Sequence, residues 1–183
     1  MQHIRRTSNT TKNPFQQGFT LIELIIVIVI LGILTVVAVP RFLDLNEDGK
    51  IASLEGMKSA MLSASNLVYS KAVLQGLEKI PFNATPAPYV DLDGDGVGDI
   101  NTHYGIPSRS RGDGIVKAMD SSVSEEWTWS TFYNGAFVIT TADIGGRKGQ
   151  YINNTAVTPT NCYVRYDQTS TGIPDITLIT SGC

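Results

Sequence analysis

Residues Phe19 to Val39 form a near-continuous apolar run of 21 residues with one ionisable side chain in it, Glu23. As a helix rising 1.5 Å per residue, such a run is about 31 Å long, the hydrocarbon thickness of a bilayer. A helix that is apolar on every face needs lipid or other protein around it. Arg5, Arg6 and Lys12 precede the run, and no acidic residue occurs among the first 18. That bias sets the leading segment on the cytoplasmic side and sends the remainder across. Removing those three cations from the 14 Lys+Arg leaves 11 against 17 Asp+Glu, a net charge of −6. An acidic body without a basic stripe has no electrostatic attraction for nucleic acid, so that partner is excluded.

Three readings compete for the run. A discarded secretory signal has a shorter apolar core and ends in small residues. This run is longer, and it closes on Val37-Ala38-Val39-Pro40. A plain signal anchor fits the length but leaves Glu23 unexplained, because a carboxylate at membrane depth costs ~2.5–3.5 kcal/mol even on the lenient scale. The third reading keeps the helix and gives the acid a task.

That reading rests on Gly18-Phe19-Thr20-Leu21-Ile22-Glu23-Leu24, which resembles the processing motif of type IV pilins and pseudopilins. The resemblance implies cleavage by a prepilin peptidase between Gly18 and Phe19, methylation of the new amine at Phe19, and retention of the apolar helix. Glu23 then stands where the family has its glutamate, and its charge would pair with the amine of a neighbouring subunit. A paired buried carboxylate is tolerable where an unpaired one is not. Gly32 and Pro40 also match the family's spacing. They imply either a flexible segment used in assembly or a simple kink where the helix leaves the bilayer.

Beyond Pro40 the apolar residues thin to a stripe. Ile51, Leu54, Met57, Met61, Ala64, Val68 and Ala72 step by three and four, while Asp44, Glu47, Lys50, Glu55, Lys58 and Lys71 largely avoid that face. This is the period of an amphipathic helix. Asp48-Gly49 is a candidate break and Gly76 a candidate C-terminal cap. After Pro81, Pro86 and Pro88, strands are expected at Trp127–Phe132, Ala136–Thr141, Cys162–Tyr166 and Ile176–Thr180, where β-branched and aromatic residues cluster between Gly- and Asn-containing turns. The fold class expected is α+β, the type IV pilin fold, with a long protruding N-terminal helix packed on a small antiparallel sheet. The division expected is a cleaved leader at 1–18, the helix at 19–76 and a globular head at 77–183.

Cys162 and Cys183 are the two cysteines. They are too few for a thiolate zinc site, and in an exported chain an oxidised pair is the plain reading, with two reduced thiols as the alternative. Family resemblance places such a pair around a C-terminal loop of the head. Pro40-Arg41-Phe42-Leu43-Asp44-Leu45, Ala52-Ser53-Leu54-Glu55-Gly56, Val68-Tyr69-Ser70-Lys71-Ala72 and Tyr104-Gly105-Ile106-Pro107 resemble the mannose-sensitive haemagglutinin (MSHA) branch of the pilins.

Asp91-Leu92-Asp93-Gly94-Asp95-Gly96-Val97-Gly98-Asp99 is the candidate metal loop. Asp91, Asp93 and Asp95 take the first three ligand positions of a calcium loop, Gly96 permits the sharp turn, and Asp99 follows. Thr102 stands where a calcium-binding helix–loop–helix would offer a bidentate glutamate, so a solvated acidic turn competes with a weakly held Ca2+. Trp127 and Trp129 share one strand face, suited to core packing first and to a sugar platform second. His103 reads as an ordinary loop histidine. Asn83 and Asn153 head glycosylation triplets, which carry little weight in a bacterial chain.

No phosphate-binding, dinucleotide-binding, nucleophile-elbow or metalloprotease motif occurs, so the chain is expected to be the substrate of an enzyme and not one itself. The function implied is a structural subunit of an MSHA-like pilus serving adhesion. The rivals are a pseudopilin of a type II secretion system and a membrane-anchored carbohydrate-binding module that never polymerises. The implied partners are identical subunits in a helical filament, the prepilin peptidase, the pilus assembly machinery, the inner membrane before assembly, and an unidentified receptor.

Overall fold

A 55-residue helix, α1 (Leu21–Gln75), dominates the computed structural model, which describes residues 19–109, 112–119, 123–131, 135–151 and 154–183. The leader, with Gly18, lies outside the described residues. The chain divides into two compact units, Met1–Leu43 and Asp44–Cys183.

In the first unit every described side chain from Phe19 to Val36 is exposed. The helix therefore has no polar face to give to water and no apolar face covered by the chain. Among the described residues, no helix is long and apolar enough to cross a membrane. The apolar side chains are described without a break only as far as Val36.

In the second unit α1 does what its three-four spacing dictates. Leu54, Met57, Met61, Val68 and Ala72 are buried, while Leu45, Leu62, Leu67 and Leu74 are exposed. Asp48-Gly49 does not interrupt the helix. Tertiary burial on the other side of the stripe outweighs the local propensity cost of one glycine, about 1 kcal/mol. The helix ends in a left-handed turn at Gly76, with φ +72°. Leu77 N–H donates to Ala72 O at 2.8 Å and Gly76 N–H to Val73 O at 3.2 Å, the bond pair of a glycine C-cap, and Leu77 and Ala72 pack in one apolar cluster.

The head has two sheets. The smaller is a three-stranded antiparallel ribbon of β1 (Tyr89–Val90), β2 (Ile100–His103) and β3 (Ile106–Pro107). The single helical turns α2 (Ile115–Ala118) and α3 (Val123–Glu126) follow it. The larger sheet contains β4 (Trp127–Thr131), β5 (Phe137–Thr141), β6 (Gly149–Tyr151), β7 (Tyr163–Asp167) and β8 (Asp175–Ile179), with α4 (Ala142–Gly145) between β5 and β6. Its order is β6-β4-β5-β7-β8. The four strands expected from the sequence are the four antiparallel ones, each within a residue or so of its expected bounds.

One edge departs from the expected antiparallel pattern, because β6 pairs parallel to β4. The chain leaves β5, crosses through α4, and returns on the far side of β4. Crossing there requires close approach: a Cβ on Gly145 would lie 2.4 Å from Thr128 Cβ, so only glycine fits. The hydroxyl of Thr128 donates to Arg147 O just beyond it.

Two apolar clusters share α1. Leu54, Met57 and Met61 pack with Trp129, Phe137, Ile139, Val164 and Tyr166 of the large sheet, and with Ile115, Val116 and Val123. Val68 and Ala72 pack with Val90 and Ile100 of the ribbon. Tyr166 fastens the two sheets, its buried hydroxyl donating to Pro107 O at 2.6 Å. Cys162 and Cys183 form a disulfide that closes 21 residues, a loop whose restriction in the unfolded chain contributes ~3 kcal/mol. Lys50 of α1 reaches the same corner, donating to Cys183 O at 3.3 Å.

Leu54 is fully buried and Leu62, two turns along, is 45% exposed. Leu54→Ala is expected to cost about 2–5 kcal/mol and Leu62→Ala within about 0.5 kcal/mol, measured by denaturant unfolding of the detergent-solubilised chain.

Candidate functional site

Two regions carry the residues singled out by the sequence. The first is the start of α1. Thr20 N–H and Thr20 Oγ each donate to Glu23 Oε2 at 2.8 Å, and Glu23 N–H donates back to Thr20 Oγ at 3.3 Å. This reciprocal arrangement is a capping box, in which a threonine and a glutamate three residues on satisfy otherwise orphaned amides of the first turn. The sequence Thr20-Leu21-Ile22-Glu23 spells that box, but the apolar setting drew attention to the charge alone. Both bonds converge on Oε2, so Oε1 has no partner among the described residues. The carboxylate can therefore cap its own helix and accept a further cation at once.

Gly32 lies within α1, and a Cβ built there would meet nothing within 4 Å. Nothing among the described residues requires a glycine at this position. Thr35 Oγ donates to Leu31 O at 2.6 Å, the back-bond that keeps a hydroxyl satisfied in apolar surroundings. α1 continues through Pro40, where the absent N–H leaves the Val36 carbonyl without its usual donor.

The second region is the loop 91–99 between β1 and β2. Its entry is held by Gln75, whose Nε2 donates to Asp91 O at 2.6 Å while Oε1 accepts from Asp91 N–H at 3.1 Å. The side-chain amide thus pairs with the backbone as a neighbouring strand would. Inside the loop Gly94 N–H and Gly96 N–H donate to the two Asp91 oxygens at 2.7 and 2.9 Å. Asp95 N–H donates to Asp93 Oδ1 at 3.1 Å, Val97 N–H to Asp95 Oδ1 at 2.8 Å, and Leu92 N–H to Asp99 Oδ2 at 3.0 Å.

Carboxylate oxygens of Asp91, Asp93 and Asp99 lie within 4.8 Å of one another. Asp95, expected as a third ligand, is not in that group; its side chain caps the Val97 amide instead. Oxygen donors at this spacing suit a hard cation such as calcium, with Asp91, Asp93 and Asp99 as its holders. No Lys or Arg occurs within residues 91–99, yet Lys117 of α2 supplies a cation. Its Nζ donates to Asp99 O at 2.8 Å and lies 3.5 Å from Asp99 Oδ1. The ribbon folds α2 back onto the loop, a contact across 18 positions with no local sequence signal.

The remaining residues divide plainly. Trp129 is buried and tilts against Phe137 with ring centroids 5.8 Å apart, and Trp127 packs on the same cluster. The pair belongs to the core and forms no platform. His103 closes β2, not a loop, and accepts a hydrogen bond. Asn83 is exposed, and Asn153 lies outside the described residues.

With the geometry in place, the comparisons sharpen its meaning. Residues 13–39 match the family described as the prokaryotic N-terminal methylation motif. The chain is 54% identical over 48 residues to the type IV narrow pilus major component PilA5 of Thermus thermophilus, covering 26% of this chain and 41% of that one. It is 39% identical over 71 residues to a fimbrial protein of Pseudomonas aeruginosa, covering 39% and 43%. It is 47% identical over 53 residues to the type IV major pilin protein PilE1 of Neisseria gonorrhoeae, covering 27% and 32%. The chain thus spans less than half the length of each of these relatives. No solved structure matches it. Over its N-terminal segment the chain is similar to proteins named as type IV pilins and fimbrial proteins.

Hydrogen bonds from Gly94 N–H, then Gly96 N–H, hold the Asp91 carboxyl below the usual carboxylate range. A depressed carboxylate stabilises the fold above its unfolded value, and that contribution is lost as pH falls through the lower folded value. Carboxyl 13C titration is expected to place the Asp91 midpoint below the ordinary aspartate value of about 3.9, with the Gly94 and Gly96 amides shifting at the same midpoint.

Proposed function

We propose that the chain is the structural subunit of an MSHA-like type IV pilus serving surface adhesion. Prepilin peptidase cuts after Gly18, Phe19 is methylated, and residues 19–39 anchor the subunit in the inner membrane. The assembly machinery then packs the same helices of identical subunits into an extracellular filament. Gly32 and Pro40 are the weak points at which the helix yields as it leaves lipid for protein.

The observation that carries this reading is the arrangement at Glu23. A helix with every described side chain from Phe19 to Val36 exposed must be covered by something, and its one acid keeps Oε1 open while Oε2 caps the helix. A methylated amine at Phe19 of a neighbouring subunit supplies the matching charge. The relatives named as pilus components support polymerisation. The MSHA branch and its adhesive role rest on the short head stretches around Pro40, Ala52, Val68 and Tyr104.

The capping box separates two roles that alanine would confuse. Glutamine also completes such a box but carries no charge. Both Glu23→Gln and Glu23→Ala are expected to abolish surface fibres, counted by electron microscopy, while the glutamine variant keeps its helix by circular dichroism. Normal fibres from Glu23→Gln would remove the charge pairing. Short periplasmic fibres from the unaltered chain would move it to the pseudopilins.

The convergence of Asp91, Asp93 and Asp99 supports a second assignment, a calcium ion in the outer loop, with Lys117 as its internal competitor. Added calcium is then expected to shift the carboxyl resonances of those three aspartates more than that of Asp95, and Lys117→Met to tighten binding several-fold by calorimetry. Unchanged resonances at millimolar calcium would dismiss the ion.

A further inference from the structure

We propose that His103 is an acid-released latch, a histidine whose unprotonated Nδ1 pins the 77–88 segment to the β2–β3 hairpin. The segment follows the C-cap of α1 and leads into β1. It is fixed at its end, where Thr102 N–H donates to Pro88 O at 3.0 Å. Midway, two bonds hold it to the hairpin tip. Tyr104 N–H donates to Ile80 O at 2.9 Å, and Phe82 N–H donates to His103 Nδ1 at 3.1 Å.

The second of these bonds fixes the chemistry. An imidazole nitrogen accepts a hydrogen bond only when it carries no proton, so His103 must be neutral with its hydrogen on Nε2. A proton on Nδ1 would place one N–H against another and leave the Phe82 amide without its acceptor. The Phe82 ring meets the imidazole edge-on at 5.3 Å, and Tyr104 does so at 4.6 Å, so the ring is walled by aromatic surface that solvates an added charge poorly.

The hairpin tip packs closely against α1. Tyr104 and Gly105 adopt φ of +50° and +79°, and a Cβ on Gly105 would come within 2.9 Å of the Tyr69 ring on α1. Little movement is therefore available to the histidine, and release falls to the 77–88 segment.

Among the charged groups around the latch, Arg109 acts in its direction. The segment contributes Glu78 and Lys79, 3.9 Å apart. α1 contributes the Tyr69 phenol, and the hairpin contributes Tyr104. Past β3, Arg109 lies 3.5 Å from Asp167. Burial first, and the Arg109 cation second, hold the imidazole below its usual range. The segment is thus latched at neutral pH. As pH falls below the ordinary histidine value of about 6.5, the open form takes the proton preferentially, and the weakening of the latch reaches its full size below the lower value of the closed form.

The test is amide exchange of the full chain in detergent micelles at pH 7.5 and 4.5, corrected for intrinsic rates. Phe82 is expected to exchange roughly three- to tenfold faster in acid, the loss of one hydrogen bond, with a midpoint matching the imidazole titration followed by 15N resonances. His103→Asn places an amide oxygen near the position of Nδ1 and does not titrate, so its Phe82 protection is expected to be equal at both values. Equal protection in the unaltered chain, separate midpoints, or the same acid loss in the asparagine variant would each overturn the latch.

Discussion

One helix has to satisfy two environments, and the rest of the molecule follows from how it does so. Between Leu54 and Ala72 the buried positions of α1 fall on a single stripe, and both sheets of the head pack there. Between Phe19 and Val36 no such stripe exists, because the side chains are apolar on every face and all exposed. A sheet packed on one side could never cover that surface. Burial of apolar area, at about 25 cal/mol per Å2, therefore drives folding within the head, while the N-terminal part of the same helix keeps its apolar area exposed.

Polar groups at the ends of α1 show how such a rod is made compatible with apolar surroundings. At its start a threonine and a glutamate satisfy the first-turn amides between them. At its end Gly76 and Leu77 return their amides to Val73 and Ala72. Neither end leaves its cap to chance contact with solvent. An amide left without an acceptor where water is excluded costs free energy comparable to a lost hydrogen bond.

How much of this was legible in the sequence depended on the length of the signal. The stripe from Ile51 to Ala72 repeats over six turns, and β4, β5, β7 and β8 each concentrate β-branched or aromatic residues, so these elements could be read directly. Strands β1 and β3 have two residues each, and β6 has three, Gly-Gln-Tyr. No alternation can be seen in so few positions, and their pairing is dictated by tertiary contact. The acidic loop was legible as a loop, and its grouping of Asp91, Asp93 and Asp99 was partly so. Lys117 was not, because its approach depends on the ribbon folding back. At Glu23 both the unusual charge and the three-residue spacing from Thr20 that forms the capping box are present in the sequence, the second beneath a stronger apolar signal.

The ribbon and the large sheet meet α1 at different turns and pack in separate clusters, joined by the hydroxyl of Tyr166 at Pro107. Substitutions that are far apart and share no partners act almost independently. The acidic turn of the ribbon, far from the large-sheet cluster in its contacts, is therefore the part whose substitution disturbs that cluster least. The separation also keeps the effect of a substitution in one cluster from passing wholesale to the other.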